Sequence, residues 1–179
     1  MLIFYKMQKR ELKIYGNHLV TRSNFRDVLF NSLGMTDAFM VERMMVGLDR
    51  GTRPYVTSAV FAKAMSLFLK GTLDEKIVYA FTCYDLLNEG VLYQTTMYQL
   101  MKNCLADAFS EDSVETVKEF IFTVMQRFDI DNDGEVCFDD FRTAVRKNPE
   151  LLEALGPVLP SRRTVHAFIA TWNVNWPKV

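Results

Sequence analysis

Histidine is scarce in this sequence, which contains only His18 and His166 among its 179 residues. Neither lies in an HExxH zinc motif, and the chain has no GxSxG nucleophile motif and no glycine-rich phosphate loop. The usual signatures of a catalytic base, a metalloprotease centre and a nucleotide site are therefore missing. We expect a protein that is not an enzyme.

Cysteine is also sparse, and the three residues Cys83, Cys104 and Cys137 form no CxxC pair. An odd number of widely spaced cysteines predicts free thiols in a reducing compartment rather than a disulfide framework.

No apolar run approaches the ~20 residues that span a bilayer. The basic residues of the opening "MLIFYKMQKR" follow its apolar patch, unlike those of a signal peptide, and Leu2 excludes N-myristoylation. A net charge of −1 lacks the basic excess typical of nucleic-acid binders. We expect a cytoplasmic protein that binds neither membrane nor nucleic acid.

Apolar residues are abundant in the chain, at 49% of the total, and many of them recur at helical spacing. The segment "TLDEKIVYAFTCYD" opens with a capping box from Thr72 to Glu75. "SNFRDVLFNSLG" predicts a helix capped by Ser23 or Asn24. A further helix is predicted from Ser113, with a buried stripe formed by Val117, Phe120, Ile121, Val124 and Phe128. The sequence therefore predicts an all-α protein.

A repeated unit recurs along the chain. Twelve-residue loops that start at Lys13, Asp49, Asp85 and Asp129 lie 36, 36 and 44 residues apart. Such periods indicate a repeated supersecondary unit, here helix–loop–helix. Position 8 of every loop is apolar and would let the loops pair through a short backbone contact; these residues are Val20, Val56, Leu92 and Val136. We expect four units in two pairs.

The last loop, "DIDNDGEVCFDD", matches the calcium-loop pattern D-x-[DN]-x-[DN]-G with an acid at position 12. Asp129, Asp131 and Asp133 stand at positions 1, 3 and 5, and Gly134 allows the turn at position 6. The other two predicted ligands are the backbone carbonyl of Glu135 and the carboxylate of Asp140. Ca²⁺ takes six to eight oxygens, so a divalent ion would turn the repulsion among these carboxylates into attraction.

Two positions weaken this predicted site. Asp140 is one methylene shorter than the usual glutamate and reaches an ion with fewer oxygens, which favours Mg²⁺ relative to Ca²⁺. Cys137, at position 9, is a poor ligand for a hard ion. We expect modest Ca²⁺ affinity and tolerance of Mg²⁺ at the same site.

The three other loops lack the ligand set. "DLLNEGVLYQTT" keeps Asp85, Glu89 and Gly90 but has Leu87 at position 3 and Thr96 at position 12. "DRGTRPYVTSAV" keeps only its first aspartate and adds arginines, and the loop from Lys13 has no inward acid. These loops are predicted to be structural.

The segments "NFRDVLFNSLGMTD", "MSLFLKGTLDEKIVYAFTCYD", "RFDIDNDGEVCFDDFRTAVRK" and "LLEALGPVLP" resemble the neuronal-calcium-sensor branch of EF-hand proteins, and within it the calaxin-like family. The resemblance covers Leu2 to about Pro160. It implies a calmodulin-like fold and a place in the ciliary or flagellar axoneme. The implied partners are the coiled-coil proteins of the outer dynein arm docking complex, the dynein heavy chain and the doublet microtubule. Calaxin-like proteins usually carry three metal loops, whereas only the Asp129 loop is intact here, so a constitutive scaffold role gains weight.

The resemblance leads to a prediction of domains. Residues 1–70 are predicted to form an N-terminal lobe of two degenerate hands. Residues 71–147 are predicted to form a second lobe that pairs loop 85–96 with the metal loop 129–140, and residues 148–179 a helical extension.

Two alternative functions stay open: a regulatory subunit of a phosphatase or channel, and a purely structural scaffold. The ten methionines are interpreted as core, although together they also suit a groove for a partner helix.

Overall fold

The computed structural model describes residues 19–50, 54–104 and 113–173. In these ranges each short strand is followed by two α-helices: β1 Leu19–Thr21, α1 Arg22–Asn31, α2 Ala38–Leu48, β2 Tyr55–Thr57, α3 Ser58–Lys70, α4 Leu73–Tyr84, β3 Val91–Leu92, α5 Gln94–Cys104, α6 Ser113–Phe128, β4 Val136–Cys137, α7 Phe138–Lys147 and α8 Arg162–Asn173. The all-α prediction is confirmed. Most of the prediction for the first half of the first hand, including the start of the loop from Lys13, lies outside the described residues.

Threonine side chains determine where three of the helices begin. Thr21 caps α1 by accepting from the backbone N of Asn24, so the predicted cap at Ser23 or Asn24 is wrong by two or three residues. Thr57 caps α3 in the same way. The capping box predicted from Thr72 to Glu75 is present at the start of α4, with both reciprocal hydrogen bonds formed. Each cap satisfies an N–H group that has no partner inside its own helix.

The loops pair in the predicted register. In the first pair of hands Val20 lies opposite Val56, and in the second pair Leu92 lies opposite Val136, both in antiparallel contacts. All four side chains are at most 1% exposed. Pairing of two loops through position 8 is therefore confirmed for both pairs.

The described residues divide into two compact units. Of the described residues, one unit takes those within 19–36, 48–71 and 159–173, and the other takes those within 37–47 and 72–158. The predicted domains 1–70, 71–147 and 148–179 stay a prediction, and most of helix α2 groups with the second unit. The reason is its contact with α4: a Cβ added to Gly47 would lie 2.6 Å from Sγ of Cys83, so the two helices approach closely there. Helix α8 belongs to the first unit.

The core of each unit is formed by the stripes that the sequence predicts, with one exception. In the first unit the rings of Phe25 and Phe61 meet edge to face, with 5.1 Å between their centroids. In the second unit the ring of Phe128 stacks on that of Phe141, also with 5.1 Å between centroids. Seven of the described methionines are at most 7% exposed: Met35, Met40, Met44, Met45, Met65, Met97 and Met101. Phe120 is 45% exposed, so its predicted burial is wrong, because it lies beside the buried stripe of α6 rather than on it.

The segment after α7 is a 3-10 helix, Pro149–Glu153, with proline in its first turn. The hydroxyl of Tyr84 donates at 2.6 Å to the carbonyl of Gly156 and lies 3.1 Å from that of Leu152. This buried hydroxyl ties the segment to α4. Within the described residues no helix is both long enough and apolar enough to cross a membrane.

Candidate metal centre

The metal loop is organised around the carboxylate of Asp129, the first residue after α6. Oδ1 of this residue accepts from the backbone N of Asp133 at 3.2 Å, and Oδ2 accepts from that of Gly134 at 3.0 Å. Asp133 in turn accepts from the backbone N of Glu135 at 2.8 Å. The loop therefore curls around its own first side chain and points the following acids towards it.

Two residues of the loop have left-handed backbone conformations. Asn132 has φ of 61° and Gly134 has φ of 87°. Nothing lies within 4 Å of a Cβ added to Gly134, so the turn requires glycine for its conformation rather than for space. Asparagine tolerates the left-handed region better than most other residues. The sequence pattern N-D-G thus specifies the bend that brings positions 1, 3 and 5 together.

Three of the five predicted ligands converge. Carboxylate oxygens of Asp129, Asp131 and Asp133 lie within 4.8 Å of one another, and in the part of the chain that the structure describes no other acidic or histidine–cysteine cluster of this kind occurs. Asp140 does not join the cluster. It is only 7% exposed, and its Oδ2 accepts from the backbone N of Cys137 at 3.2 Å, which caps helix α7. The full ligand set, with the carbonyl of Glu135 and the carboxylate of Asp140, stays a prediction.

The donor chemistry of the cluster fits a hard divalent ion. Three carboxylates at this spacing supply oxygen ligands and negative charge, which Ca²⁺ and Mg²⁺ prefer. The hydrogen bond to Asp140 raises the pKa of the Cys137 thiol, since a nearby carboxylate disfavours the thiolate. Position 9 therefore offers a neutral thiol rather than a thiolate that would attract a softer metal.

The Asp85 loop has the same backbone shape without the same acids. Asp85 accepts from the backbone N of Glu89 at 3.1 Å and of Gly90 at 3.0 Å. Asn88 and Gly90 take left-handed conformations with φ of 58° and 78°. At position 12, Thr96 is buried and its hydroxyl accepts from the backbone N of Tyr93 at 3.0 Å, which replaces the cap that Asp140 provides in the last loop.

Two arginines that no sequence motif singles out contact the degenerate loops. Arg22 donates to the carbonyl of Asp49 at 3.0 Å and to its Oδ2 at 3.2 Å. Arg43 donates to the carbonyl of Cys83 at 2.8 Å and to that of Asp85 at 2.9 Å. Residue spacing carried no signal for these contacts, because each one joins positions at least 27 residues apart.

The sequence of this protein is similar to those of several known proteins, although no protein-family model matches the chain. Over 150 residues, 83% of the chain, the sequence is 37% identical to calaxin from Danio rerio and 35% identical to calaxin from Homo sapiens, and it covers 71% of each. The sequence is also 30% identical over 115 residues to guanylyl cyclase-activating protein 1 from Gallus gallus. The matched region covers 64% of the chain and 57% of that relative.

Helix–loop–helix units paired through position 8, with an acidic loop in the last unit, define an EF-hand protein of the calcium-sensor class. Within this class, the chain is more than 30% identical in sequence to several calaxins and covers most of their length. The chain belongs to the calaxin family.

Proposed function

We propose that this protein binds one Ca²⁺ ion in the Asp129 loop and accepts Mg²⁺ there. The observation that carries this proposal is the convergence of the Asp129, Asp131 and Asp133 carboxylates within 4.8 Å. The backbone carbonyl of Glu135 and the carboxylate of Asp140 would complete the ligand set. When bound, the ion would supply positive charge that cancels the repulsion among these acids.

Calorimetric titration of the full chain with CaCl₂ and MgCl₂ tests the ion site. Asp131→Asn removes a carboxylate of the cluster, whereas Asp139→Asn removes the same charge at a neighbouring exposed residue that pairs with Arg142 instead. We expect one site that the first substitution abolishes or weakens strongly and the second leaves unchanged. Equal behaviour of the two variants, or no heat from the unchanged chain, would refute the site.

We further propose that the protein acts, without catalysis of its own, as an adaptor in the ciliary or flagellar axoneme. Its partners there would be the coiled-coil proteins of the outer dynein arm docking complex, the dynein heavy chain and the doublet microtubule. Membership of the calaxin family supports this proposal. The protein would reside in the cytoplasm and the axonemal cytoskeleton.

Localisation of the tagged full chain in a ciliated cell tests the axonemal role. We expect signal along the axoneme that persists after detergent extraction, and co-purification with outer-arm dynein and its docking proteins. A diffuse signal that detergent removes would refute the axonemal proposal but leave the ion site standing.

A second candidate function is regulation of an enzyme. It is favoured by the 30% identity to a guanylyl cyclase-activating protein, whose name describes activation of a cyclase. Purification of the tagged chain separates the two proposals. Recovery of a cyclase, phosphatase or channel subunit in place of dynein and docking proteins would support the regulatory role.

A further inference from the structure

An arginine from the preceding hand contacts the first aspartate in each of the two degenerate loops that keep this residue. Arg22, at the start of α1 in the first hand, bonds to the backbone carbonyl and the carboxylate of Asp49. Arg43, on α2 in the second hand, bonds to the backbone carbonyls of Cys83 and Asp85. Both guanidinium groups are part-buried where they make these bonds.

The intact loop lacks this feature. Across residues 19–50, 54–104 and 113–173, no arginine side chain hydrogen-bonds to Asp129, whose carboxylate accepts only from amides of its own loop. Among loops that begin with aspartate, the arginine is thus found where the metal ligands are missing and is absent where they converge.

Electrostatics explains why a fixed cation suits these positions. The first loop residue follows the entering helix, whose last carbonyls have no intrahelical partner and carry partial negative charge. A guanidinium is always protonated and donates from a rigid fork, so one side chain can satisfy two acceptors at once. Charge-assisted bonds of this kind are stronger than neutral ones.

We propose that Arg22 and Arg43 are built-in cations that take the place of a metal ion in the Asp49 and Asp85 loops: Arg22 pairs with the carboxylate of Asp49, and Arg43 binds the carbonyls of Cys83 and Asp85. Without any ion, Arg43 holds the end of α4 and the start of its loop together, and Arg22 holds the backbone and side chain of the first residue of its loop. The Asp85 loop keeps the left-handed positions and carboxylate–amide bonds of the Asp129 loop. The degenerate hands therefore stay folded at any Ca²⁺ concentration, and ion-dependent change is confined to the last hand.

This inference does not depend on ion binding at the Asp129 loop, so the two can fail separately. The decisive comparison is made on the full chain in EDTA, where no divalent ion contributes. Arg43→Met keeps most of the aliphatic length and removes the charge, whereas Arg43→Lys keeps the charge as an ammonium. Arg162→Met is the matched control, because Arg162 is exposed at the start of α8.

The first measurement is thermal melting. We expect Arg43→Met to lower the melting temperature by roughly 4 to 8 °C, since two charge-assisted hydrogen bonds are lost from part-buried carbonyls. Arg43→Lys should recover about half of this loss, and the control should melt within about 1 °C of the unchanged chain. The same order is expected for Arg22→Met and Arg22→Lys.

The second measurement is amide hydrogen exchange in the Asp85 loop. The amides of Glu89 and Gly90, which donate to Asp85, should exchange about tenfold faster in Arg43→Met and close to normally in Arg43→Lys. Equal melting and exchange for the Met and Lys variants would show that packing of the stem matters and not the charge, and would overturn the inference. An Arg43→Met chain that behaves like the control would overturn it as well.

Discussion

Asp131→Asn should change the stability of this protein in opposite directions with and without Ca²⁺. Asp131 is exposed, and its carboxylate lies within 4.8 Å of those of Asp129 and Asp133. Two unit charges 4.8 Å apart repel by about 0.9 kcal/mol in water, so the two pairs involving Asp131 cost about 1.7 kcal/mol before screening. Salt screening and side-chain mobility reduce this to about 0.5 to 1 kcal/mol for exposed groups. In EDTA the substitution should therefore stabilise the chain slightly.

With Ca²⁺ present the sign reverses. A ligand at 100 times its dissociation constant adds about 2.7 kcal/mol to the free energy of unfolding. For a chain of this size that corresponds to a rise in melting temperature of roughly 5 to 10 °C. Asp131→Asn removes an oxygen ligand with full charge, so most of this increment should disappear.

Differential scanning calorimetry in EDTA and in CaCl₂ measures both effects on the same samples. Asp139→Asn, which removes an equal charge at an exposed side chain outside the cluster, should keep the Ca²⁺ increment. If Asp131→Asn lowered the melting temperature in EDTA, the carboxylates would not repel as their spacing requires. If the increment in Ca²⁺ survived, Asp131 would not be a ligand.

Three further predictions address the ligand set, the buried thiol and the core. Asp140→Glu should raise Ca²⁺ affinity about tenfold relative to Mg²⁺, because the longer side chain can offer two oxygens; titration with both ions checks this, and unchanged selectivity would contradict it. Burial raises the pKa of the Cys83 thiol to about 12, so peptide-resolved alkylation of the native chain at pH 8 should label Cys137 far faster than Cys83. The folded state retains this proton when the unfolded state loses it, so the same shift makes stability fall as pH rises from about 9 towards 12, and comparable labelling of both thiols would refute the burial argument. Phe141→Ala should cost about 3 to 5 kcal/mol in chemical denaturation, whereas Phe122→Ala, at a side chain 58% exposed, should cost less than about 1 kcal/mol; similar losses would argue against the assigned core.

Local sequence patterns predicted the features that depend on neighbouring residues. The capping box from Thr72 to Glu75, the left-handed turn at Gly134 and the convergence of three aspartates each arise within a few residues of chain. The cap of α1 was misplaced because Thr21, Ser23 and Asn24 are all capable of capping, and only the start of the helix selects among them. The apolar spacing of α6 predicts that Phe120 is buried, but its side chain is exposed. The buried stripe of a helix is too narrow to include every apolar residue of that helix.

The pairing of the loops was also predictable, although it joins distant residues. An apolar residue at position 8 recurs in all four loops, and the repeat itself indicates which residues correspond. Val20 opposite Val56 and Leu92 opposite Val136 follow from that correspondence alone.

The sequence by itself determined the helix–loop–helix repeat, the pairing register and the position of the acidic cluster, since hydrophobic period, turn chemistry and ligand spacing are all local properties. Only the tertiary structure decided that α2 packs on α4, that Asp140 turns back to cap α7, and that arginines contact the ends of the degenerate loops. Long side chains such as that of Arg43 can reach several acceptors, and which of them lies close enough depends on how the helices pack. Helix packing is a collective result of shape and burial across the chain, and no spacing rule encodes it.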